Sequence, residues 1–153
     1  MTRNQLILIG VLGSAALLGG AFQFQYFGYP PCAMCLWQRW PHAAAILIGL
    51  LALGVQGRLL PAVAGLAALT TAGIGIFHTG VERDWWEGPA SCTGTGLSNL
   101  DASDLLSTAG DRLVMCDKVS WELFSISMPS WNAIFSLLLV VVWVRAALAS
   151  GRQ

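Results

Sequence analysis

The stretch YPPCAMCLWQRW, residues 29–40, contains two closely spaced cysteines, Cys32 and Cys35. Arg39 follows Cys35 by four residues, so the two share a helix face if a helix begins near Cys35. A neighbouring thiol and a fixed cation both favour the thiolate, which is the nucleophile of thiol–disulfide exchange. The pattern therefore indicates a redox-active dithiol. The alternative for Arg39 is a side chain that extends to the lipid headgroups from a helix end.

Two further cysteines, Cys92 and Cys116, are widely separated along the chain, and four cysteines allow three pairings. A zinc site of four cysteines normally uses two closely spaced pairs, so we expect no metal. Attached haem requires a histidine directly after the motif, where this chain has Leu36. Two permanent structural disulfides remain an alternative, although a Cys-x-x-Cys bridge closes a very small loop and restrains the unfolded chain weakly.

The composition is that of a membrane protein. Of the 153 residues, 56% are hydrophobic and only 10% are charged, whereas a soluble domain carries about a quarter charged residues. Eight basic and eight acidic residues give no net positive charge, so nucleic acid is not an expected partner. All eight carboxylates lie between residues 82 and 122. We expect one domain, residues 1–153, within a lipid bilayer and with one polar loop.

Four charge-free apolar stretches predict an all-α membrane protein, a bundle of four transmembrane helices. About 20 apolar residues are needed to cross the ~30 Å hydrocarbon core as a helix. The first stretch also resembles a secretory signal, but it has no clean cleavage site and three more apolar stretches follow it. The predicted spans are about residues 5–27, 40–56, 59–80 and 128–147.

Arginines at the ends of the spans predict the orientation of the chain. The positive-inside rule places the two termini and the short loop after the second span in the cytoplasm; the arginines concerned are Arg3, Arg58, Arg145 and Arg152. Loops at about residues 28–39 and 81–127 then face the other side, and they contain all four cysteines. That side would be a bacterial periplasm, which is an oxidising compartment.

The second of these periplasmic loops is long for a connection, which is typical of a functional loop. Its segment SNLDASDLLSTAG, residues 98–110, begins with a loose capping-box pattern followed by apolar positions. We therefore predict a short amphipathic helix that lies on the membrane surface.

A membrane dithiol needs an electron acceptor, and the chain has no nucleotide-binding fingerprint. A lipid-soluble quinone that enters between helices near the outer surface would suit the position of the Cys-x-x-Cys motif.

The sequence resembles the disulfide bond formation protein B (DsbB) family over nearly its whole length. The motifs that carry the resemblance are PCAMCLWQR, FHTGVERDWWEGPASC and CDKVSWELFSISMPSW. The resemblance implies that a reduced periplasmic thioredoxin-fold dithiol oxidase of the DsbA type attacks a Cys92–Cys116 disulfide, with Cys92 forming the mixed disulfide. Electrons would then pass to Cys32–Cys35, and Cys35 would deliver them to ubiquinone or menaquinone in the bacterial inner membrane.

The resemblance also implies three residues that contact the quinone. They are Arg39, His78 near the outer end of the third span, and Met128, which matches a family position beside the quinone ring. An ionisable group inside a membrane is a functional candidate by default. The structural alternatives are a neutral His78 bonded to a backbone carbonyl and a Met128 that fills space in the core.

Two other functions fit parts of the pattern. An enzyme of the vitamin K epoxide reductase type also combines four helices, a Cys-x-x-Cys motif and a quinone, but there the motif follows the loop cysteines instead of preceding them. A structural membrane subunit would contain two permanent disulfides. Mild reductant distinguishes this subunit from a relay, because structural disulfides resist reduction whereas a relay contains a labile pair.

Overall fold

The computed structural model describes residues 1–89, 92 and 115–149. The predicted surface helix at residues 98–110 lies outside these described residues. Within them the chain forms four helices and a two-stranded antiparallel hairpin, in the order α1 Arg3–Tyr26, α2 Ala33–Gly54, α3 Leu59–Glu82, β1 Glu122–Leu123, β2 Ile126–Ser127 and α4 Met128–Ala149.

Capping groups in the sequence explain where the first two helices begin. Thr2 precedes α1 and forms a reciprocal capping box with Gln5, which satisfies two backbone N–H groups at the helix start. Cys32 is the N-cap of α2, and its sulfur accepts a hydrogen bond from the backbone N–H of Cys35. Helix α2 therefore begins at Ala33, ahead of the predicted span that starts at residue 40. The Cys-x-x-Cys motif consequently forms the first turn of a helix.

The four helices pack as a bundle around Trp143. Helices α1 and α3 each pack against both α2 and α4. Trp143 of α4 is fully buried, at the end of the bundle that contains the N-terminus of α1. A Cβ at Gly10 would lie 2.5 Å from atoms of the Trp143 ring, so a glycine is required for α1 to approach α4 this closely. The apolar core thus occupies the end of the bundle opposite the cysteines.

The outer surface of the bundle is apolar, as expected of helices in lipid. Leu12, Leu66 and Leu138 lie near the middle of their helices and are 66%, 61% and 57% exposed, respectively. Helices α1, α3 and α4 are long and apolar enough to cross a membrane. Helix α2 has 22 residues and is about 33 Å long, but it contains several polar side chains. That α2 is a fourth span stays a prediction.

A short hairpin that no sequence pattern predicted precedes α4. Its two-residue turn consists of Phe124 and Ser125, with φ angles of 55° and 60°. Tight hairpin turns of this kind favour Asn-Gly or Asp-Gly, because few other residues adopt positive φ readily. The usual sequence signal is therefore missing. The guanidinium of Arg83 donates a 2.9 Å hydrogen bond to the Ser125 carbonyl, which holds the turn against the end of α3.

Candidate functional site

Cys32 and Cys35 form a dithiol at the start of α2. The Cys32 thiol donates a hydrogen bond to the Cys35 sulfur across 2.8 Å, and neither residue is in a disulfide. Cys32 is buried and Cys35 is half-buried. The helical first turn holds both sulfurs on one side of α2, because the sulfur of Cys32 also accepts the backbone N–H of Cys35.

The two thiols differ in acidity; both precede the predicted span of residues 40–56. The hydrogen bond with Cys35 raises the pKa of the Cys32 thiol, and burial raises it further. The same hydrogen bond lowers the pKa of Cys35, against an opposing effect of burial. The positive charge of Arg39 lowers the Cys35 pKa as well, by less. Cys35 is therefore the more acidic of the two thiols, with the Cys32 hydrogen bond as the main cause and Arg39 as a minor one.

Cys92 and Cys116 form a disulfide with a Cα–Cα distance of 4.8 Å. Backbone hydrogen bonds fix both residues: the Cys116 N–H donates to the Cys92 carbonyl, and the Cys92 N–H donates to the Pro89 carbonyl. Both sulfurs are fully buried, in a cluster that also contains Cys32, Met34 and Val81. The structure thus brings together the four predicted cysteines, although the two pairs are far apart in the sequence.

His78 of α3 lies between the two pairs. Its Nε2 is 3.6 Å from the Cys32 sulfur, and its imidazole also interacts with the backbone carbonyl of Cys116. On the other side of the ring, Nδ1 is 3.1 Å from the Nε2 amide nitrogen of Gln38. Glu82, one turn further along α3, places Oε1 4.0 Å from His78 Nε2. The imidazole therefore contacts both redox pairs and has a fixed polar neighbour on each side.

The residues predicted to contact a cofactor line one cavity of about 400 Å³. Arg39, His78 and Met128 all contribute to its wall, together with Cys32 and Cys35. The Cys92–Cys116 disulfide lies outside the wall of this cavity. Of the three cofactor candidates, only His78 is in hydrogen-bonding range of a cysteine sulfur in the described part of the chain.

Arg39 is held against α1. Its Nη1 donates to Gln25 Oε1 across 2.8 Å, and its Nη2 lies 3.3 Å from the Ala21 carbonyl. The guanidinium also lies 4.7 Å from the centre of the Phe22 ring, within the range of a cation–π contact. The buried Nε has no hydrogen-bond partner among the described residues. Arg39 therefore keeps an unbonded Nε–H and is not simply extended toward lipid headgroups.

Three atoms in the site are of types that bind metals. The sulfurs of Cys32 and Cys35 and a ring nitrogen of His78 all lie within 4.8 Å of one another. This arrangement also follows from a dithiol next to a histidine. The expectation that the protein uses no metal stays a prediction.

Three further polar residues line the cavity, and none of them had a predicted role: Gln38, Glu82 and Asn132. A signal for two of them was present, because Gln38 precedes His42 by four residues and His78 precedes Glu82 by four. Such spacing places polar side chains on one face of an otherwise apolar helix. Asn132 gives no comparable signal, since its partners lie on other helices.

Comparisons with known proteins show which family the chain resembles. A family model described as "Disulfide bond formation protein DsbB" matches residues 3–146. The chain is 30% identical to disulfide bond formation protein B of Marinobacter nauticus over 152 residues, which cover 93% of this chain and 90% of that protein. It is 34% identical to the protein of the same name from Methylococcus capsulatus over 145 residues, 83% of each chain.

Disulfide bond formation protein B 2 of Pseudomonas savastanoi is 33% identical over 142 residues, which cover 84% of this chain and 79% of that protein. No solved structure matches the chain. The family model covers both cysteine pairs and all four helix starts, so it includes the whole site described above. The chain therefore belongs to the disulfide bond formation protein DsbB family, whose members are bacterial membrane proteins.

Proposed function

We propose that this protein reoxidises a periplasmic thioredoxin-fold dithiol oxidase of the DsbA type and passes the electrons to a membrane quinone. The observation that carries the proposal is the contact between the two cysteine pairs in one buried cluster. One pair is a disulfide and the other is a dithiol on the wall of a cavity. Such a state is expected once two electrons have reached Cys32–Cys35, the inner pair of the relay.

The relay consists of two thiol–disulfide exchanges followed by one oxidation. The donor's dithiol loses two electrons and two protons as it becomes a disulfide, and the Cys92–Cys116 disulfide opens to two thiols. Exchange between the pairs then re-forms Cys92–Cys116 and opens Cys32–Cys35. By family analogy Cys92 is the residue that bonds to the donor. Because its sulfur is fully buried, the covering residues must move before a partner can reach it.

The unequal acidity of the inner thiols gives this relay a direction. A disulfide sulfur with the lower thiol pKa is the better leaving group. Exchange into the Cys32–Cys35 bond therefore favours attack at Cys32 and release of Cys35, whose pKa is lowered. Released Cys35 lies on the cavity wall. The sulfur that becomes a thiolate is thus one that a ligand in the cavity would meet.

The cavity fits the head group of a quinone. Its volume of about 400 Å³ is within the usual range of ~300–1,000 Å³ for small-molecule sites. The buried Nε of Arg39 has no partner among the described residues and could donate to a carbonyl oxygen, while Met128 supplies an apolar wall. When bound, ubiquinone or menaquinone supplies an acceptor for two electrons and two protons. No metal is needed for this chemistry.

The charge distribution supports a periplasmic position for the site and cytoplasmic termini. Arg3, Arg58 and Arg145 lie on the described helix ends opposite the cysteines. Arg3 is buried there and donates to the carbonyls of Ala52 and Val55 at the end of α2, where the helix dipole favours a cation. The protein would then be a multi-pass protein of the inner membrane, with the positive-inside arrangement.

Quinone reduction by purified protein in detergent tests the proposal, with a reduced thioredoxin-fold oxidase as the electron donor. We expect turnover by the unaltered protein and loss of turnover in both Cys35→Ser and Cys92→Ser. If the unaltered protein reduces no quinone and both disulfides resist mild reductant, the chain is instead a structural subunit. Opening of Cys32–Cys35 without any transfer to quinone would place the acceptor elsewhere.

A further inference from the structure

A chain of hydrogen bonds runs between the helices from His42 to His78. His42 Nε2 is 2.9 Å from Asn132 Oδ1, and Asn132 Nδ2 is 2.7 Å from Gln38 Oε1. Asn132 Nδ2 is also 3.1 Å from the Thr71 hydroxyl. The Gln38 amide nitrogen then reaches His78 Nδ1 across 3.1 Å. Polar groups of this kind are rare and costly inside membrane helices, so a connected set of them is a candidate for a functional role.

Two backbone carbonyls determine the direction of every hydrogen bond in this network, because a carbonyl only accepts. Gln38 Nε2 is 3.2 Å from the Met34 carbonyl, so the amide nitrogen, and not the amide oxygen, is on that side. The Thr71 hydroxyl donates to the Gln38 carbonyl across 3.1 Å and must therefore accept from Asn132. These two contacts orient both amides independently of the histidines.

It follows that the Gln38 amide donates to His78 Nδ1. A neutral imidazole has one N–H and one lone pair, so the proton of neutral His78 is on Nε2. That nitrogen faces the Cys32 sulfur at 3.6 Å. The carbonyl of Cys116 interacts with the same imidazole and also requires a donor. Only this tautomer presents an N–H on the side of the ring that faces Cys32.

We propose that Gln38 is a positioning residue that keeps the proton of His78 on Nε2, so that His78 donates a hydrogen bond to the sulfur of Cys32 and does not act as its base. The role in electron transfer rests on the proposed function, whereas the tautomer does not. Other charged or titratable groups near the imidazole are Glu82 on its own helix and Cys32, Cys35 and Arg39 on α2.

The hydrogen bond acts when Cys32 becomes negative. Exchange between the pairs passes through a bond between one sulfur of each pair. In that intermediate Cys32 is bonded to either Cys92 or Cys116. When the thiolate of the other loop cysteine attacks the loop sulfur in this bond, Cys92–Cys116 re-forms and Cys32 departs with the electron pair as a thiolate. The N–H of His78 stabilises this thiolate, and His78 neither gains nor loses a proton.

Gln38→Glu is the matched change that tests the proposal. A carboxylate at position 38 still accepts from Asn132, but it cannot donate to His78 Nδ1. Gln56→Glu is the control, because it makes the same chemical change at an exposed position between α2 and α3. The chain has two histidines, so nitrogen-15 NMR of histidine-labelled protein gives two imidazole patterns, which a His42→Gln variant assigns.

We expect the unaltered protein to show a protonated Nε2 and an unprotonated Nδ1 for His78, and Gln38→Glu to show a protonated Nδ1. The rate of electron transfer from Cys92–Cys116 to Cys32–Cys35, measured without quinone, should fall about tenfold to a hundredfold in Gln38→Glu. Gln56→Glu should leave both readouts unchanged.

A protonated Nδ1 in the unaltered protein would overturn the inference, whatever the folding of the variant. So would a Gln38→Glu protein with the altered tautomer and an unchanged exchange rate. If the tautomer is as expected but the unaltered protein transfers no electrons between its pairs, the relay itself is contradicted and with it the role of the His78 hydrogen bond. The NMR and rate measurements therefore separate failure of the tautomer from failure of the relay.

Discussion

His78 Nε2 lies 3.6 Å from the sulfur of Cys32, although the two residues are 46 positions apart in the sequence. The contact joins the outer end of α3 to the N-cap of α2. Because the Cys92–Cys116 disulfide packs against Cys32 in the same cluster, one imidazole lies beside both redox pairs. His78 therefore lies beside both pairs and also on the wall of the cavity.

The reduced inner pair should react asymmetrically with an alkylating reagent. The Cys35 pKa is lowered and the Cys32 pKa is raised, so the Cys35 thiolate forms at a lower pH than the Cys32 thiolate. Limited treatment of the reduced protein with iodoacetamide between pH 6 and pH 9, followed by peptide fragmentation, should find the first label on Cys35. First labelling of Cys32 at any of these pH values would contradict the assigned acidities.

Arg39→Met should weaken the use of quinone without preventing reduction of the cysteines. The substitution removes the unpartnered Nε and the positive charge from the cavity wall. We expect the KM for quinone to rise by at least about tenfold, equivalent to one hydrogen bond from a charged donor. Arg39→Lys keeps the charge but loses the planar guanidinium, so its KM for quinone should lie between those of the unaltered protein and Arg39→Met. An unchanged KM in Arg39→Met would exclude Arg39 from the binding site.

The close approach of α1 to Trp143 gives a stability prediction. A Cβ at Gly10 would meet the Trp143 ring at 2.5 Å, whereas nothing lies within 4 Å of a Cβ at Gly19 on the same helix. Gly10→Ala should therefore destabilise the protein by about 1–3 kcal/mol through overpacking. Gly19→Ala should be neutral or slightly stabilising, because alanine favours helix. Thermal unfolding in detergent measures both, and equal melting temperatures would contradict this packing.

Phosphatase fusions test whether α2 crosses the membrane. Alkaline phosphatase is active only after export, so a fusion after Gly88 should be active and a fusion after Gly57 inactive if the orientation is as proposed. The polar side chains of α2 face the interior of the bundle, where Gln38 and His42 are buried, so they do not oppose its insertion. An active fusion after Gly57 would show that α2 lies on the periplasmic side.

The sequence was sufficient to predict most of the helices because apolar length is a property of each segment alone. The chemistry of Cys32 and Cys35 was also local, since spacing within one turn determines it. The network around Gln38 and Asn132 could not be predicted in this way, because its geometry depends on how α2, α3 and α4 pack. The hydrogen bonds of Arg39 to α1 could not be predicted for the same reason, because they depend on how α1 packs against α2. The Phe124–Ser125 turn lacked a sequence signal altogether.

The most direct test of the relay is to locate the thiols after a single round of reduction without quinone. Fully oxidised protein is mixed with one equivalent of reduced thioredoxin-fold oxidase, quenched in acid and alkylated, and the labelled cysteines are identified by mass spectrometry. We predict labels on Cys32 and Cys35 with Cys92–Cys116 re-formed, and no reduction of Cys32–Cys35 in Cys92→Ser. Labels that stay on Cys92 and Cys116, or equally fast reduction of Cys32–Cys35 in Cys92→Ser, would contradict the account.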